Sequence, residues 1–327
     1  GSWSCNGGSL DGSIVTLTEG ETGVTCTVTN TDVAPTLKLV KTVTNDDGGE
    51  AVPDNWTLTA AAAAPNDGAN FNNAGGSGMF ETVLSNVGYD LSESDVAGYT
   101  NGSWSCDGGS LVGSTVTLVE GQTGVTCTIN NDDIKPTLKL VKKVDNDDGG
   151  TAAPDAWTLS ATAAAPDDGR NFSNAGGSGV FEDVFANAGY NLGETAEAGY
   201  TNGTWTCDGG TLDGTVVTLG LDDDVTCEIT NADDTPQLKL VKTVTNDDGG
   251  NAVPDDWNLT ATAATPNDGR NMSNAGGSGA FQNVFANASY DLAETGPDGY
   301  TAGSWSCDGG TQVGSAITVG LGDQVTC

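Results

Sequence analysis

Apolar and polar residues alternate through Thr36-Leu-Lys-Leu-Val-Lys-Thr-Val-Thr44, and the alternation returns in Thr137–Asp145 and Gln237–Thr245. A period of two places successive side chains on opposite faces of a half-buried strand. In the first copy Leu37, Leu39 and Val43 share the apolar face, and Lys41 lies among them on it. Lys142 and Lys242 hold the same odd position in their copies. Further strand signals follow in a fixed order: Trp56-Thr-Leu-Thr59, Phe80–Val83, Tyr89–Glu93, a run opened by Gly98-Tyr-Thr100 and carrying Trp104 and Cys106, Thr115–Leu118, and Val125–Asn131. The polar, glycine-laden segment from Pro65 to Gly78 is expected to be loop. Ala60–Ala64 is the one helix-like run, and its place after a Trp-Thr-Leu-Thr strand predicts a strand end or bulge. Seven or so short strands in about a hundred residues predict an all-β, Ig-like β-sandwich.

The order of strands repeats, so the chain is expected to be a tandem array of β-sandwich modules of about 100 residues. Residues 1–33 read as the C-terminal strands of a preceding repeat. Full repeat modules span 34–134 and 135–234, and 235–327 is a repeat module lacking its last strand. Gly1-Ser-Trp-Ser-Cys5 matches Gly102-Ser-Trp-Ser-Cys106, so a window on a longer array is expected, with targeting elements outside it. The joins Thr31–Pro35, Asp132–Pro136 and Ala232–Pro236 are short and end in proline, which stiffens them. Each module should contact its neighbours in a semi-rigid string.

Composition narrows the function. Ten Lys+Arg stand against 45 Asp+Glu, a net charge of −35, which excludes nucleic acid as a partner because phosphate binding needs clustered cations. The chain has no histidine, so histidine triads, His-ligated metals and imidazole switches are excluded. The eight cysteines fall into pairs by spacing: Cys5/Cys26, Cys106/Cys127, Cys207/Cys227 and Cys307/Cys327. Close Cys-x-x-Cys spacing for zinc is absent, and one pair per repeat reads as disulfides in an oxidising, extracellular setting. Each closed loop contributes roughly 3 kcal/mol in the chain-entropy picture. The sequence holds no apolar run long enough to be a membrane span.

Parity along the strands brings out two more polar residues on apolar faces. After Val125, Cys127 and Ile129 the next residue on that side is Asn131; the matching positions are Asn30 and Asn231. After Tyr89 and Leu91 it is Glu93, with Glu194 and Glu294 in the other copies. Each repeat thus aims a lysine, a glutamate and an asparagine inward from three strands, and isolated buried charges are costly enough that the three should meet. Two readings stand side by side: a buried Lys–Glu pair capped by an amide, and a covalent reaction. In the second, a desolvated lysine becomes a neutral nucleophile. The glutamate shuttles its proton and polarises the asparagine carbonyl, and attack expels ammonia to leave an isopeptide cross-link.

Three elements carry a family resemblance: Leu-Lys-Leu-Val-Lys142 with Asp-Asp-Gly-Gly150, Tyr190-Asn-Leu-Gly-Glu194 running to Gly199-Tyr200, and the closing Cys227-Glu-Ile-Thr-Asn231. With their order, they are similar to the Cna-B/SpaA-type prealbumin-like repeats of bacterial surface proteins and pilins, over nearly the whole chain. The resemblance implies prealbumin-like sandwiches and an intramolecular isopeptide bond with glutamate as catalyst. Carried over by position, the sets are Lys41–Glu93–Asn131 and Lys142–Glu194–Asn231. Lys242 and Glu294 lack their asparagine here, and Asn30 lacks its lysine.

The turns Asn45–Gly49, Asn146–Gly150 and Asn246–Gly250 group carboxylates, but without the alternating ligands of a calcium loop they are expected to be hairpin turns, with Ca²⁺ as the weaker alternative. Gly75–Gly78, Gly176–Gly179 and Gly276–Gly279 precede no helix or lysine and are expected to be flexible loops rather than phosphate loops. Asn-x-Ser/Thr sequons at Asn55, Asn101, Asn171, Asn202, Asn258, Asn271 and Asn287 matter only where a host glycosylates. The expected function is structural: an extracellular filament, pilus-like fibre or cell-surface stalk of disulfide- and isopeptide-stabilised repeats, whose partners are copies of itself or neighbouring repeats. The alternative is an adhesin binding a host or surface glycan or a protein through the repeat loops, with Ca²⁺ as its cofactor. An enzyme acting on outside substrates is not expected, nor any other cofactor or metal.

Overall fold

The computed structural model describes residues 1–327, which divide into two compact units, Gly1–Ile134 and Lys135–Cys327. The second unit shows best how a repeat is built. One five-stranded sheet runs Phe181–Asp183, Thr137–Asp145, Asp224–Asp233, Tyr200–Thr201, with Thr206–Cys207 also on the edge of Asp224–Asp233. The facing sheet runs Phe172–Ala175, Thr158–Thr162, Gly189–Glu194, Val216–Thr218, Thr211–Asp213. Residues 36–133 of the first unit form two sheets of the same order. The apolar sides of the two sheets face each other and bury Leu138, Leu140, Trp157, Leu159, Tyr190, Leu192, Val217, Val225 and Ile229 between them.

The first and last strands of a repeat lie side by side and parallel. Thr137 pairs with Asp224 and Asp145 with Ala232, which sets Lys142 beside Ile229 and Asn231 beside Val144. In the first repeat Lys41 lies beside Ile129 and Asn131 beside Val43. A cross-strand disulfide ties the closing strand to its other neighbour, Cys106 to Cys127 and Cys207 to Cys227, with Cα atoms 4.0 and 4.1 Å apart. Cys5–Cys26 and Cys307–Cys327 are bonded as well.

Three loop expectations are corrected. The Asn-Asp-Asp-Gly-Gly segment is not a hairpin, because Thr36–Thr44 and the next strand, Thr57–Ala62, belong to different sheets. It carries the chain across the sandwich and is clamped from the closing strand: Asp133 accepts the backbone N–H groups of Asp46, Asp47 and Gly49 at 3.1, 2.9 and 2.7 Å. The Tyr99 hydroxyl accepts from Ala51 N at 3.0 Å and donates to Asn45 Oδ1 at 2.6 Å. A Cβ on Gly49 would lie 2.3 Å from that hydroxyl, so the approach requires glycine. Asp233, Tyr200 and Gly150 repeat the arrangement.

The polar segment after Pro65 is not all loop either. Phe71–Ala74 is a strand paired with Thr57–Ala62, as are Phe172–Ala175 and Met272–Ala275 in their repeats. Its side chains are mostly Asn, Ser and Ala, so one Phe or Met alone marks the inward face. Lastly, the Gly-Gly-Ser-Gly runs begin as a fixed bridge between the sheets: Gly176 N donates to Trp157 O and Gly176 O accepts from Lys142 N, at 2.9 and 3.1 Å.

Within the second unit the cross-over turn of the second repeat reaches the third. Asp148 forms an ion pair with Arg270 and accepts from the Thr235 hydroxyl. Asp148 O accepts from Ala286 N at 2.7 Å, and Gly149 O from Asn287 Nδ2 at 3.1 Å. Gly149 has φ +98°, and a Cβ there would lie 2.4 Å from Ala286 O.

Candidate functional site

Strand parity fixes where the inward polar residues go. Lys142 sits on the first strand and Asn231 on its parallel neighbour, the closing strand, while Glu194 ends a strand of the opposite sheet. The three converge at one end of the sandwich. Lys142 Nζ lies 2.6 Å from Glu194 Oε2. Asn231 Nδ2 donates to Glu194 Oε1 at 3.0 Å and to Asn202 Oδ1 at 3.1 Å, and Asn231 Oδ1 accepts from Gly203 N at 3.1 Å. Lys142 is 3% exposed and Asn231 0%.

The surroundings explain why a charged side chain is held there. The face of Trp157 covers Lys142 Nζ at 4.8 Å, a cation–π contact, and Tyr200 packs edge-on against the same indole at 5.2 Å. Gly176 closes the remaining side: a Cβ on it would lie 2.6 Å from Lys142 Cβ. Burial pushes the Lys142 ammonium below its ordinary pKa, and the Glu194 carboxylate opposes part of that shift. The lysine is thereby biased toward the neutral amine while its proton has an acceptor within reach.

The first repeat brings together the lysine and glutamate but only part of the amide contact. Lys41 Nζ lies 2.6 Å from Glu93 Oε2, under the Trp56 ring at 4.7 Å, and burial lowers its pKa in the same way. Asn131 Oδ1 accepts from Gly102 N at 3.1 Å, but its Nδ2 reaches Asn101 Oδ1, at 3.4 Å, and Glu93 Oε1 is buried without a partner. Asn130 points to the other face, where it accepts from the Thr42 hydroxyl. In the third repeat Lys242 and Glu294 pair at 2.6 Å with side chains 14% and 17% exposed. They line an open cleft of about 1090 Å³ with Trp257, Trp305, Cys307 and Cys327. Asn30 is exposed and accepts from the Gly1 amino group at 3.1 Å.

Four site positions in each of the first two repeats lie outside the strand pattern: the tryptophan over the ammonium, the glycine behind the lysine, and the two residues of the Asn-Gly pair, Asn101-Gly102 and Asn202-Gly203. The tryptophan and the glycines recur at one position in each repeat, and that recurrence is their signal in the sequence. Two carboxylate groups, Asp46/Asp47/Asp133 and Asp147/Asp148/Asp233, bring oxygens within 4.8 Å of one another. Asp133 and Asp233 spend those oxygens on backbone N–H groups of the turn, and Asp148 spends its own on Arg270 and Thr235.

A family profile described as a prealbumin-like fold domain, of the SpaA type, matches residues 32–129, 133–229 and 233–327. Among solved structures, the Bacillus anthracis TIE protein is 15% identical with a TM-score of 0.48, over 90% of this chain and 50% of that one. The pilus adhesin SpaC from Lactobacillus rhamnosus GG is 13% identical with a TM-score of 0.28, over 89% of this chain and 39% of that one. The major pilin from Streptococcus pyogenes is 14% identical with a TM-score of 0.26, over 63% of this chain and 99% of that one. The chain therefore spans about half the length of the first of these and about two fifths of the second. No curated protein matches it.

Proposed function

Because the chain belongs to the SpaA-type family of prealbumin-like fold domains, we propose that it is a structural component of an extracellular filament, pilus-like fibre or cell-surface stalk, cross-linked within each of its first two repeats by an isopeptide bond. The observation that carries this reading is the contact chain Lys142–Glu194–Asn231, which places a desolvated amine, a proton acceptor and an amide in sequence at one site. Lys142 gives a proton to Glu194, and the free amine attacks Asn231 Cγ. The Cγ–Nδ2 bond breaks as Nδ2 takes up the proton held by Glu194, and the carboxylate so freed takes the second proton lost by the attacking nitrogen. The leaving group is ammonia, and Nζ–Cγ becomes an amide. No outside substrate or co-reactant is needed. Lys41, Glu93 and Asn131 have the same roles in the first repeat.

The disulfide in every repeat supports an oxidising, extracellular setting, and no helix is long and apolar enough to cross a membrane. Near-identical sites and loops from repeat to repeat favour a scaffold of like units. Intact-mass measurement on the folded chain tests the chemistry. Two ammonia molecules should be missing, and digestion should yield branched peptides joining Lys41 to Asn131 and Lys142 to Asn231. Glu194→Ala should strongly slow the second branch at neutral pH and leave the first at its parent rate. Full mass with only linear peptides would overturn the cross-link.

A further inference from the structure

Polarity at the acceptor amide raises a question that the three inward residues leave open. Attack on Asn231 Cγ drives negative charge onto Oδ1, which must meet a donor to be stabilised. Glu194 does not serve in the observed geometry: one of its oxygens holds Lys142 Nζ and the other accepts from Nδ2. The group that does face Oδ1 is the backbone N–H of Gly203, at 3.1 Å. Since a backbone N–H can meet only an acceptor, this contact also fixes which end of the amide is oxygen. The first repeat repeats the contact, Gly102 N to Asn131 Oδ1 at 3.1 Å.

The residue just before that glycine takes the other end of the amide. Asn202 Oδ1 accepts from Asn231 Nδ2 at 3.1 Å, and Asn101 Oδ1 from Asn131 Nδ2 at 3.4 Å. Asn101 and Asn202 are exposed on an irregular stretch between two short strands, so they stand between the buried amide and water. The glycines have no freedom of replacement: a Cβ would lie 1.8 Å from Asn130 O in one repeat and 2.1 Å from Thr230 O in the other.

We propose that Asn101-Gly102 and Asn202-Gly203 orient the acceptor amide for condensation, the glycine N–H stabilising the oxyanion and the asparagine Oδ1 holding the nitrogen that departs as ammonia. This rests on the isopeptide reading above. Bond making and breaking are as written there; the Asn-Gly pair forms no bond and takes no proton. Asn202 is a positioning residue. It keeps Asn231 Nδ2 turned toward its own Oδ1 and leaves Asn231 Oδ1 against Gly203 N–H.

The test follows ammonia loss by intact mass and branched-peptide yield after the full chain, kept in denaturant since synthesis, is diluted to refold. Asn202→Ala should slow formation of the Lys142–Asn231 branch roughly tenfold, the worth of one ordinary hydrogen bond. The Lys41–Asn131 branch in the same molecule should keep the parent rate, as an internal control. Asn202→Asp keeps an acceptor oxygen in place and should restore most of the rate, which a merely structural defect would not do. Gly203→Ala keeps the backbone N–H, but its Cβ would lie 2.1 Å from Thr230 O and so must displace that N–H from Oδ1; the branch should slow by roughly a hundredfold or more, as when an oxyanion donor is lost, and amide exchange across 224–233 reports whether that variant folds. Parent-like speed in Asn202→Ala, or equal slowness in Asn202→Ala and Asn202→Asp, overturns the assignment while leaving the cross-link standing. No ammonia loss in the parent chain overturns both.

Discussion

Replacing Lys142 measures what the buried Lys142–Glu194 pair contributes to stability apart from any reaction. The cleanest background is Asn231→Ala, in which no bond can form and Glu194 loses its second partner. The Lys142 side chain is 0% exposed and that of Glu194 4%, so Lys142→Met strands a carboxylate where water does not reach. Breaking a buried pair from one side costs about 3–5 kcal/mol, or roughly two to three and a half powers of ten in the opening equilibrium at about 1.4 kcal/mol each. Hydrogen exchange of the amides in Thr137–Asp145 and Asp224–Asp233 reads that equilibrium locally, avoiding the assumption that a multi-repeat chain unfolds in one step. Protection should fall by at least a hundredfold in Lys142→Met. It should return to within about tenfold of the background in Lys142→Met/Glu194→Leu, because removing both charges from a well-packed site is close to neutral. A loss under tenfold in the single variant, or a double variant as damaged as the single one, would falsify the buried-pair account.

Other outcomes follow from the same contacts. Near neutral pH the parent rate of ammonia loss should not vary with pH, because the lysine proton passes to Glu194 rather than to water. In Glu194→Gln the lysine must deprotonate to solvent. Its rate should then rise about tenfold per pH unit and level off below 10.5, on the side to which burial lowers the Lys142 pKa; a rate falling with pH contradicts this. Arg270→Ala should speed amide exchange in Asn146–Gly150 by no more than about fivefold, since the arginine side chain is 26% exposed and such a pair is worth about 1 kcal/mol or less; unchanged exchange would mean the contact holds nothing. Removing the Cys207–Cys227 disulfide as a double alanine variant should cost the second repeat about 3 kcal/mol, seen as loss of protection in Asp224–Asp233 with little change in Val125–Asp133.

Strand parity made Lys142, Glu194 and Asn231 legible, because a period of two assigns each side chain to a face once one apolar face is known. Parity points to Asn131 with Asn130 beside it as a one-residue ambiguity, and the structure buries Asn131 and exposes Asn130. What parity cannot supply is the partner of a turn. Asn-Asp-Asp-Gly-Gly resembles a hairpin locally, and only Asp133, far along the chain, shows that it spans two sheets. Phe71–Ala74 was hidden because a strand that pairs along one edge needs little apolar surface of its own. Trp157, Gly176 and Gly203 reach the lysine and the amide through tertiary packing, and no local pattern links them to those residues.

The parallel pairing of first and last strands has a mechanical consequence. The backbone enters the second repeat at Thr137 and leaves it at Asp233, at opposite ends of one ladder. Tension between those two points pulls the strands lengthwise past each other, so the ladder hydrogen bonds resist together instead of opening one by one. Lys142 and Asn231 sit toward the exit. A covalent link there would pass the pull from Thr137–Lys142 straight into Asn231–Asp233, and everything between Lys143 and Thr230, the tryptophan, the whole facing sheet and the disulfide included, would lie slack beside the path of force.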